Sequence, residues 1–379
     1  MKRRKLKAIV LGPLGPPYGG PEVMTQTLID GLKRRNEIEF VHINTQVSRS
    51  LAEKGGRNQM RKSFRAVLHL MRLLWLAFRM RPDVIYLPLT NSPSFLGFLR
   101  DAAAIAVARL AGSRVAIRLH GGYYYYVHET GWRLRLVRFM LRRVELATVQ
   151  GQRLISCFNG SVAPDRIAVV PNGLDDAPFA AARARRREKT APVRILFIGL
   201  LCEEKGVYDI ISSMPLVPDA EFVFVGEWAS PEDRERATQK LQADGTASRA
   251  HFTGVVSGDE KYDILASSDV YVFPTFWVYE GHAVSSVEAL AAGLPIVCTD
   301  HGALDESVRE RWNGFFVPAH SPESIAERLV QLVSDATLRS EMARRSRQLY
   351  EDRFTVERFL SAWTQALTSA VFKEAVSSR

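Results

Sequence analysis

Hydrophobic positions in this chain come in two alternating patterns. Short, nearly continuous apolar runs such as Leu6–Leu11 and Val84–Leu87 alternate with longer stretches in which apolar side chains return every three or four positions. The first pattern predicts strands buried on both faces, and the second predicts amphipathic helices. Strands are expected at Leu6–Leu11, Ile38–Ile43, Val84–Leu87, Arg114–Leu119, Ala147–Gln150 and Ile167–Val170, with helices at about 21–35, 60–80 and 95–111 between them. The rhythm lapses from Asp175 to Pro192, where Ala180–Lys189 is small and basic, as in a linker. It restarts with Val193–Ile198, Glu221–Val225, Val270–Phe273 and Ile296–Cys298. A last helix at about 355–374 carries Phe359, Trp363 and Val371.

Strand–helix alternation on both sides of a linker predicts an α/β chain of two Rossmann-like, doubly wound domains. Their expected bounds are 1–178 and 190–354, with residues 355–379 packing back on the first. Ligands of such sheets bind beyond the carboxyl ends of the strands, so a cleft faced by two such domains is the expected site. The length fits this division, since 379 residues exceed one ordinary core.

The basic start Met1-Lys2-Arg3-Arg4-Lys5 is like that of a signal peptide, but the apolar run that follows is short before Pro13 and no small-residue cleavage pattern follows it. A first strand is the expectation. The most apolar long stretch, Phe95–Gly112, is interrupted by Arg100, Asp101 and Arg109, which argues against a membrane-spanning helix. Cys157, Cys202 and Cys298 are odd in number and scattered, so a disulfide framework or zinc site is not expected and a reducing compartment is.

Charge changes the picture more. Residues 1–189 hold 33 Lys+Arg against 13 Asp+Glu, and residues 190–379 hold 18 against 28, so a net +20 half precedes a net −10 half. A basic half suggests an anionic lipid, nucleic acid or phosphorylated partner. Residues 54–82 lack any acid, and Met60, Phe64, Val67, Leu68, Met71, Leu74, Trp75 and Phe78 recur at helical spacing beside Arg61, Arg65, Arg72 and Arg79. A second basic stretch holds Arg133, Arg135, Arg138, Arg142 and Arg143. Such helices either turn their apolar faces into the core or lie on an anionic membrane surface. The second reading predicts a cytoplasmic protein held peripherally at the inner face of the plasma membrane. Nucleic acid is not expected as a partner: no zinc finger, helix-turn-helix or RNP-like string occurs.

The richest chemistry lies at Pro274-Thr275-Phe276-Trp277-Val278-Tyr279-Glu280-Gly281-His282-Ala283-Val284-Ser285-Ser286-Val287-Glu288-Ala289-Leu290-Ala291-Ala292-Gly293-Leu294-Pro295. A strand ends at Pro274, and a helix is expected from about Val284 to a terminating Gly293. Glu280 then sits in the loop and Glu288 within the helix. Gly281 and Ala283 allow close approach, while the amides of about 282–286, with Ser285, form an anion site at a helix N-terminus. Two carboxylates beside such a site can accept hydrogen bonds from sugar and ribose hydroxyls. A second segment, Gly199-Leu200-Leu201-Cys202-Glu203-Glu204-Lys205-Gly206, follows a strand, as do Gly12–Pro21, with Gly19 and Gly20, and His120-Gly121-Gly122. The glycines of the first turn do not fit the Gly-x-Gly-x-x-Gly dinucleotide fingerprint. The run Tyr123–Tyr126 offers Tyr123 and Tyr124 as surfaces for stacking on a sugar, or as core.

These strings resemble the retaining glycosyltransferases of family 4, which have the GT-B fold. The resemblance runs over most of residues 190–320 and in patches before them, including Pro171-Asn172-Gly173-Leu174-Asp175, Gly302 with Glu306, and Asn313-Gly314 before Phe315–Val317. It implies that Glu280 contacts the transferred sugar, Glu288 the nucleotide ribose and Lys205 the donor diphosphate. It implies His120 near the reacting sugar, and Gly19, Gly20, Gly199, Gly281, His282, Ala283, Val284 and Ser285 around the donor. Leu200 stands where the family usually has arginine, so one phosphate partner is missing. No Asp-x-Asp pair occurs, and donor binding without a metal cofactor is expected. Retention in this family is described as front-face attack, with the leaving diphosphate helping to deprotonate the acceptor. The expected partners are a UDP- or GDP-linked nucleotide sugar and a saccharide or polyprenyl-diphosphate-linked acceptor, as in cell-surface polysaccharide biosynthesis. The alternatives are a GT-B enzyme for a soluble acceptor, a nucleotide-sugar epimerase, or a nucleic-acid- or membrane-binding scaffold without transferase activity.

Overall fold

The computed structural model describes residues 4–16, 19–46, 59–89, 95–123, 128–185 and 192–372. The chain divides into two compact units, one running to Gly173 and resuming at Val356, the other spanning Leu174–Thr355.

In the first unit β1 (Leu6–Gly12), α1 (Gly20–Arg35), β2 (Ile38–Asn44), α2 (Gln59–Met80), β3 (Val84–Pro88), α3 (Phe95–Leu110), β4 (Arg114–Arg118), α4 (Gly131–Leu141), β5 (Leu146–Val149) and β6 (Ile167–Val169) follow one another. Every strand pair is parallel, in the order β2-β1-β3-β4-β5-β6. Parallel strands joined by helices are covered on both faces, which is why Ala8, Ile9, Val10 and Ile85 are fully buried in a continuous apolar run.

The second unit contains α5 (Ala177–Arg185), β7 (Val193–Ile198), α6 (Val207–Ser213), β8 (Ala220–Val225), α7 (Pro231–Ala243), β9 (Ala250–Gly254), α8 (Gly258–Ser267), β10 (Val270–Phe273), α9 (Val284–Ala292), β11 (Ile296–Thr299), β12 (Gly314–Val317), α10 (Pro322–Ser334) and α11 (Ala336–Arg353). Its strands are also parallel, in the order β12-β11-β10-β7-β8-β9. The order reverses between β7 and β10, whose Leu196 and Tyr271 lie side by side. Crossovers leave in opposite directions there, which opens a crevice at the carboxyl ends of these two strands. The last helix, α12 (Val356–Phe372), belongs to the first unit. Its buried Trp363 meets Tyr86 edge-on at 5.3 Å, and Leu360 packs onto Gly31 of α1.

Two expectations change. The segment read as a linker is helical as far as Arg185 and is part of the second unit. Phe179 and Ala182 suffice as its buried face because polar groups anchor the rest: Phe179 packs edge-on against Tyr262 at 4.9 Å, and Arg183 donates to the Ala291 carbonyl at 2.7 Å. Only residues 186–191 of that segment lie outside the described residues. The stretch Gly314–Val317, not among the expected strands, is strand β12, and the edge strand β9 carried no apolar signal because most of it is exposed.

Candidate functional site

In the second unit the reversal of strand order brings the loop after β7 beside the loop after β10. The β7 loop turns through a short 3-10 helix, Glu203–Lys205, and ends at Gly206 with φ +75°. A Cβ at Gly206 would lie 2.4 Å from the Pro274 carbonyl, so only glycine lets the two loops approach this closely. The approach is fastened by the Phe276 amide, which donates to the Glu204 carbonyl at 2.8 Å.

The result is an ion pair between Lys205 Nζ and Glu280 Oε2, with both side chains largely buried. Thr275 donates its hydroxyl to the same Glu280 oxygen at 3.3 Å. The Lys205 ammonium lies 5.4 Å from the ring centres of both Phe273 and Trp277. Aromatic faces attract a cation, so the lysine is held by rings as well as by its carboxylate. Gly302, at φ +59°, closes the far side: a Cβ there would lie 2.4 Å from the Glu280 carbonyl.

The N-terminal turn of α9 follows directly. Gly281, His282, Ala283, Val284 and Ser285 lead into it, and the helix stops at left-handed Gly293. Their backbone amides belong to the turn in which a helix leaves N–H groups without intrahelical acceptors, a ready anion site. Ser285 accepts a hydrogen bond from Tyr271 at 2.7 Å, a contact that positions the hydroxyl at the strand end. His282 is buried and bonds Ser307 at 2.7 Å, which makes it a support of the loop. Glu288, only 4% exposed, accepts from Lys261 Nζ of α8 at 2.5 Å. The structure thus adds Lys261, Thr275 and Trp277 to the site. Thr275 and Trp277 lie inside the motif quoted above; nothing in sequence points to Lys261, which comes from another helix 27 positions away.

Gly199 follows β7 and donates its amide to the Val225 carbonyl at 3.0 Å, while Leu200 beside it brings no charge.

In the first unit Gly19 caps α1 and donates its amide to the Glu22 carboxylate at 3.1 Å, with Gly20 opening the helix. His120 follows β4. The protein packed around its ring and the neighbouring Arg118 guanidinium lower its pKa to about 3, so the imidazole is neutral at ordinary pH. Arg118 is itself buried, held by the Val170 carbonyl at 3.1 Å and Asn172 Oδ1 at 2.9 Å. Tyr123 stacks on His128 at 4.4 Å, and Tyr124 lies outside the described residues.

Helix α2 does not turn all of its apolar positions into the core. Leu73, Leu76 and Ala77 form its buried face. Phe64, Val67, Leu68, Met71, Trp75 and Phe78 lie on the other side, each at least 50% exposed. Arg72 is exposed and Arg65 half-buried among them, Arg79 covers the Trp75 ring at 5.6 Å, and the Arg61 side chain lies outside the described residues. No helix among the described residues is long and apolar enough to cross a membrane.

A family model for glycosyl transferases group 1 matches residues 179–349, and one for Glycosyltransferase Family 4 matches residues 18–177. Glycogen synthase of Mycobacterium tuberculosis is 29% identical over 213 residues, which are 54% of this chain and 49% of that protein. A GDP-mannose-dependent alpha-(1-6)-phosphatidylinositol monomannoside mannosyltransferase from the same organism is 30% identical over 252 residues, 60% of this chain and 63% of the other. The chain spans about half the length of the curated relatives it matches first. Among solved structures, Anabaena HepE in complex with UDP superposes with a TM-score of 0.74 at 17% identity, covering 96% of this chain and all of that one. Sucrose-phosphate synthase of Thermosynechococcus elongatus gives 0.73 at 16% identity, covering 99% of this chain and all of the other. These likenesses show the GT-B fold.

Proposed function

Because the chain belongs to the group 1, family 4 glycosyltransferases, we propose that it moves a sugar from a nucleotide sugar to a saccharide or polyprenyl-diphosphate-linked acceptor, with retention at the anomeric carbon. One observation carries the reading: Lys205 and Glu280 meet at the carboxyl ends of β7 and β10, beside the N-terminal turn of α9. Each half of that pair suits one part of a donor. The diphosphate takes Lys205 and the helix amides, and the sugar hydroxyls donate to Glu280. Glu288 exchanges Lys261 for the ribose hydroxyls. In this reading donor binding opens two ion pairs at once, and the diphosphate charge is met by the protein without a metal cofactor.

The acceptor hydroxyl oxygen forms its bond to the anomeric carbon as the bond to the diphosphate breaks. Its proton passes to the leaving phosphate oxygen, and a nucleoside diphosphate departs. Lys205 then stabilises charge that grows in the transition state, the kind of interaction that accelerates a reaction. His120, neutral, serves as a hydrogen-bonding group and not as a cation. Tyr123 is assigned to the acceptor side.

The exposed apolar stripe of α2, with Arg65, Arg72 and Arg79 along it, supports an acceptor presented at an anionic membrane surface, on the cytoplasmic side of the plasma membrane. Each basic residue near such a surface contributes about 1 kcal/mol. The test of the donor assignment is a thermal-shift panel of UDP-, GDP- and ADP-sugars: one class should raise the melting temperature, and a flat panel would reject the assignment. The membrane assignment is tested by flotation with liposomes. Trp75→Ser with Phe78→Ser should lower the bound fraction on anionic liposomes, and equal binding with and without anionic lipid rejects it.

A further inference from the structure

At the amino-terminal edge of β5 and β6 in the first unit lies a cavity of about 570 Å³. Its lining includes Arg138, Arg142, Asn159, Ser161 and Arg166. Ligands of doubly wound sheets gather at the carboxyl ends of strands, so this is the opposite edge from His120. Arg138 and Arg142 sit one helical turn apart at the end of α4. Arg166 is the last residue of a 3-10 turn, Pro164–Arg166, and spends one guanidinium nitrogen on the carbonyls of Arg142 and Val144, both at 3.3 Å. A basic residue at a helix C-terminus is stabilised by the helix dipole, which accounts for Arg138 and Arg142 but not for Arg166 joining them. Among the described residues no carboxylate pairs with Arg138, Arg142 or Arg166.

A second observation is independent of charge. Asn159 and Gly160 are consecutive left-handed residues, with φ of 43° and 70°, and they turn the backbone so that Ser161 lines the cavity. Ser161 is only 5% exposed, and its buried hydroxyl has no hydrogen-bond partner. A buried hydroxyl without a partner costs about 1–3 kcal/mol, and a turn of the Ser161 side chain toward the cavity would relieve that cost by giving the hydroxyl an acceptor there. Above Gly160 there is open space, with no atom within 4 Å of where a Cβ would be.

We propose that this cavity is a second anion site, for a phosphate monoester or diphosphate, separate from the one at α9. Three guanidinium groups supply forked donors that match phosphate oxygens, and Ser161 supplies a hydroxyl donor. The volume exceeds that of one phosphate and suits a phosphoryl group with a sugar or glycerol attached. A soluble phosphoester and a lipid headgroup carry the same chemistry.

The experiment is calorimetric titration of inorganic pyrophosphate into the full chain carrying Lys205→Ala, which weakens the site at α9. Binding should persist there. It should fall by about tenfold or more on adding Arg138→Ala with Arg142→Ala, the factor expected for losing charge-assisted hydrogen bonds. Ser161→Val, which leaves the arginines in place, should weaken it less, and Arg138→Lys with Arg142→Lys should restore part of it. No binding in the Lys205→Ala protein, or affinity unchanged by the double alanine variant, overturns the proposal. Phosphatidic-acid vesicles that displace pyrophosphate where phosphatidylcholine vesicles do not would assign a lipid headgroup. Failure to displace assigns a soluble phosphoester.

Discussion

The two sheets are wound alike, six parallel strands each with a reversal of strand order, yet the basic groups at their candidate sites are held differently. In the second unit basic groups sit on carboxylates: Lys205 on Glu280, Lys261 on Glu288, Arg347 on Asp176 and Arg353 on Glu306. In the first, Arg4, Arg100 and Arg109 also sit on Asp83, Asp101 and Glu145, but buried Arg118 rests on a carbonyl, an amide oxygen and the face of Phe359, and among the described residues Arg138, Arg142 and Arg166 gather without a carboxylate. A unit whose charges are paired internally binds a ligand by exchange, since each carboxylate and ammonium must find a replacement partner. A basic cluster without carboxylates, like that of Arg138, Arg142 and Arg166, can take an anion without giving up a partner. The first arrangement suits a donor that carries both phosphates and hydroxyls, and the second suits membrane and phosphate partners.

The largest expected effect tests whether the first unit is held by its core rather than by its charges. Trp363→Ala removes a side chain 1% exposed against Tyr86, and should cost about 3–5 kcal/mol in urea unfolding. A loss under about 1 kcal/mol would show that α12 contributes little to that core.

Next comes the exchange idea itself. Lys205→Ala should lower kcat by about 10²–10³-fold, as for loss of one preorganised charge-stabilising group. Glu280→Gln frees the same lysine, so it should lower kcat while tightening binding of the bare nucleoside diphosphate by a few-fold, about 1 kcal/mol or less. If both variants weaken nucleoside diphosphate binding equally, the pair is structural and the exchange account fails.

The smallest effect concerns pH. His120 has a pKa of about 3 in the folded chain against 6.5 for a free imidazole. Between those values the unfolded chain binds the additional proton, so stability rises with pH there. The contribution is complete above about pH 6.5 and is lost as pH falls toward 3. His120→Asn should reduce the fall in urea midpoint between pH 7 and pH 5, and an unchanged slope would show that the imidazole does not titrate this way.

The strands of the first unit and the four inner strands β7, β8, β10 and β11 of the second were readable because parallel strands buried on both faces need unbroken apolar runs, whereas the edge strands β9 and β12 were not. Lys205, Glu280 and Glu288 were readable because they fall at strand ends within a dense string. Lys261 was not, since its partner is 27 positions distant and only the packing of α8 against α9 joins them. Helix α5 was missed because two buried residues, Phe179 and Ala182, are too few to make a visible stripe. The pattern in α2 was visible but ambiguous. Apolar residues at helical spacing look the same whether they face a core or solvent, and it is the burial of Leu73, Leu76 and Ala77 on the opposite side that decides it.

Calorimetric titration of a nucleotide sugar into the chain and into its Glu288→Ala variant tests the donor assignment most directly. The account predicts micromolar binding that weakens about tenfold or more in the variant, as expected when a buried acceptor of ribose hydroxyls is removed. Equal affinity in the two proteins, or no binding of any UDP-, GDP- or ADP-sugar, would contradict it.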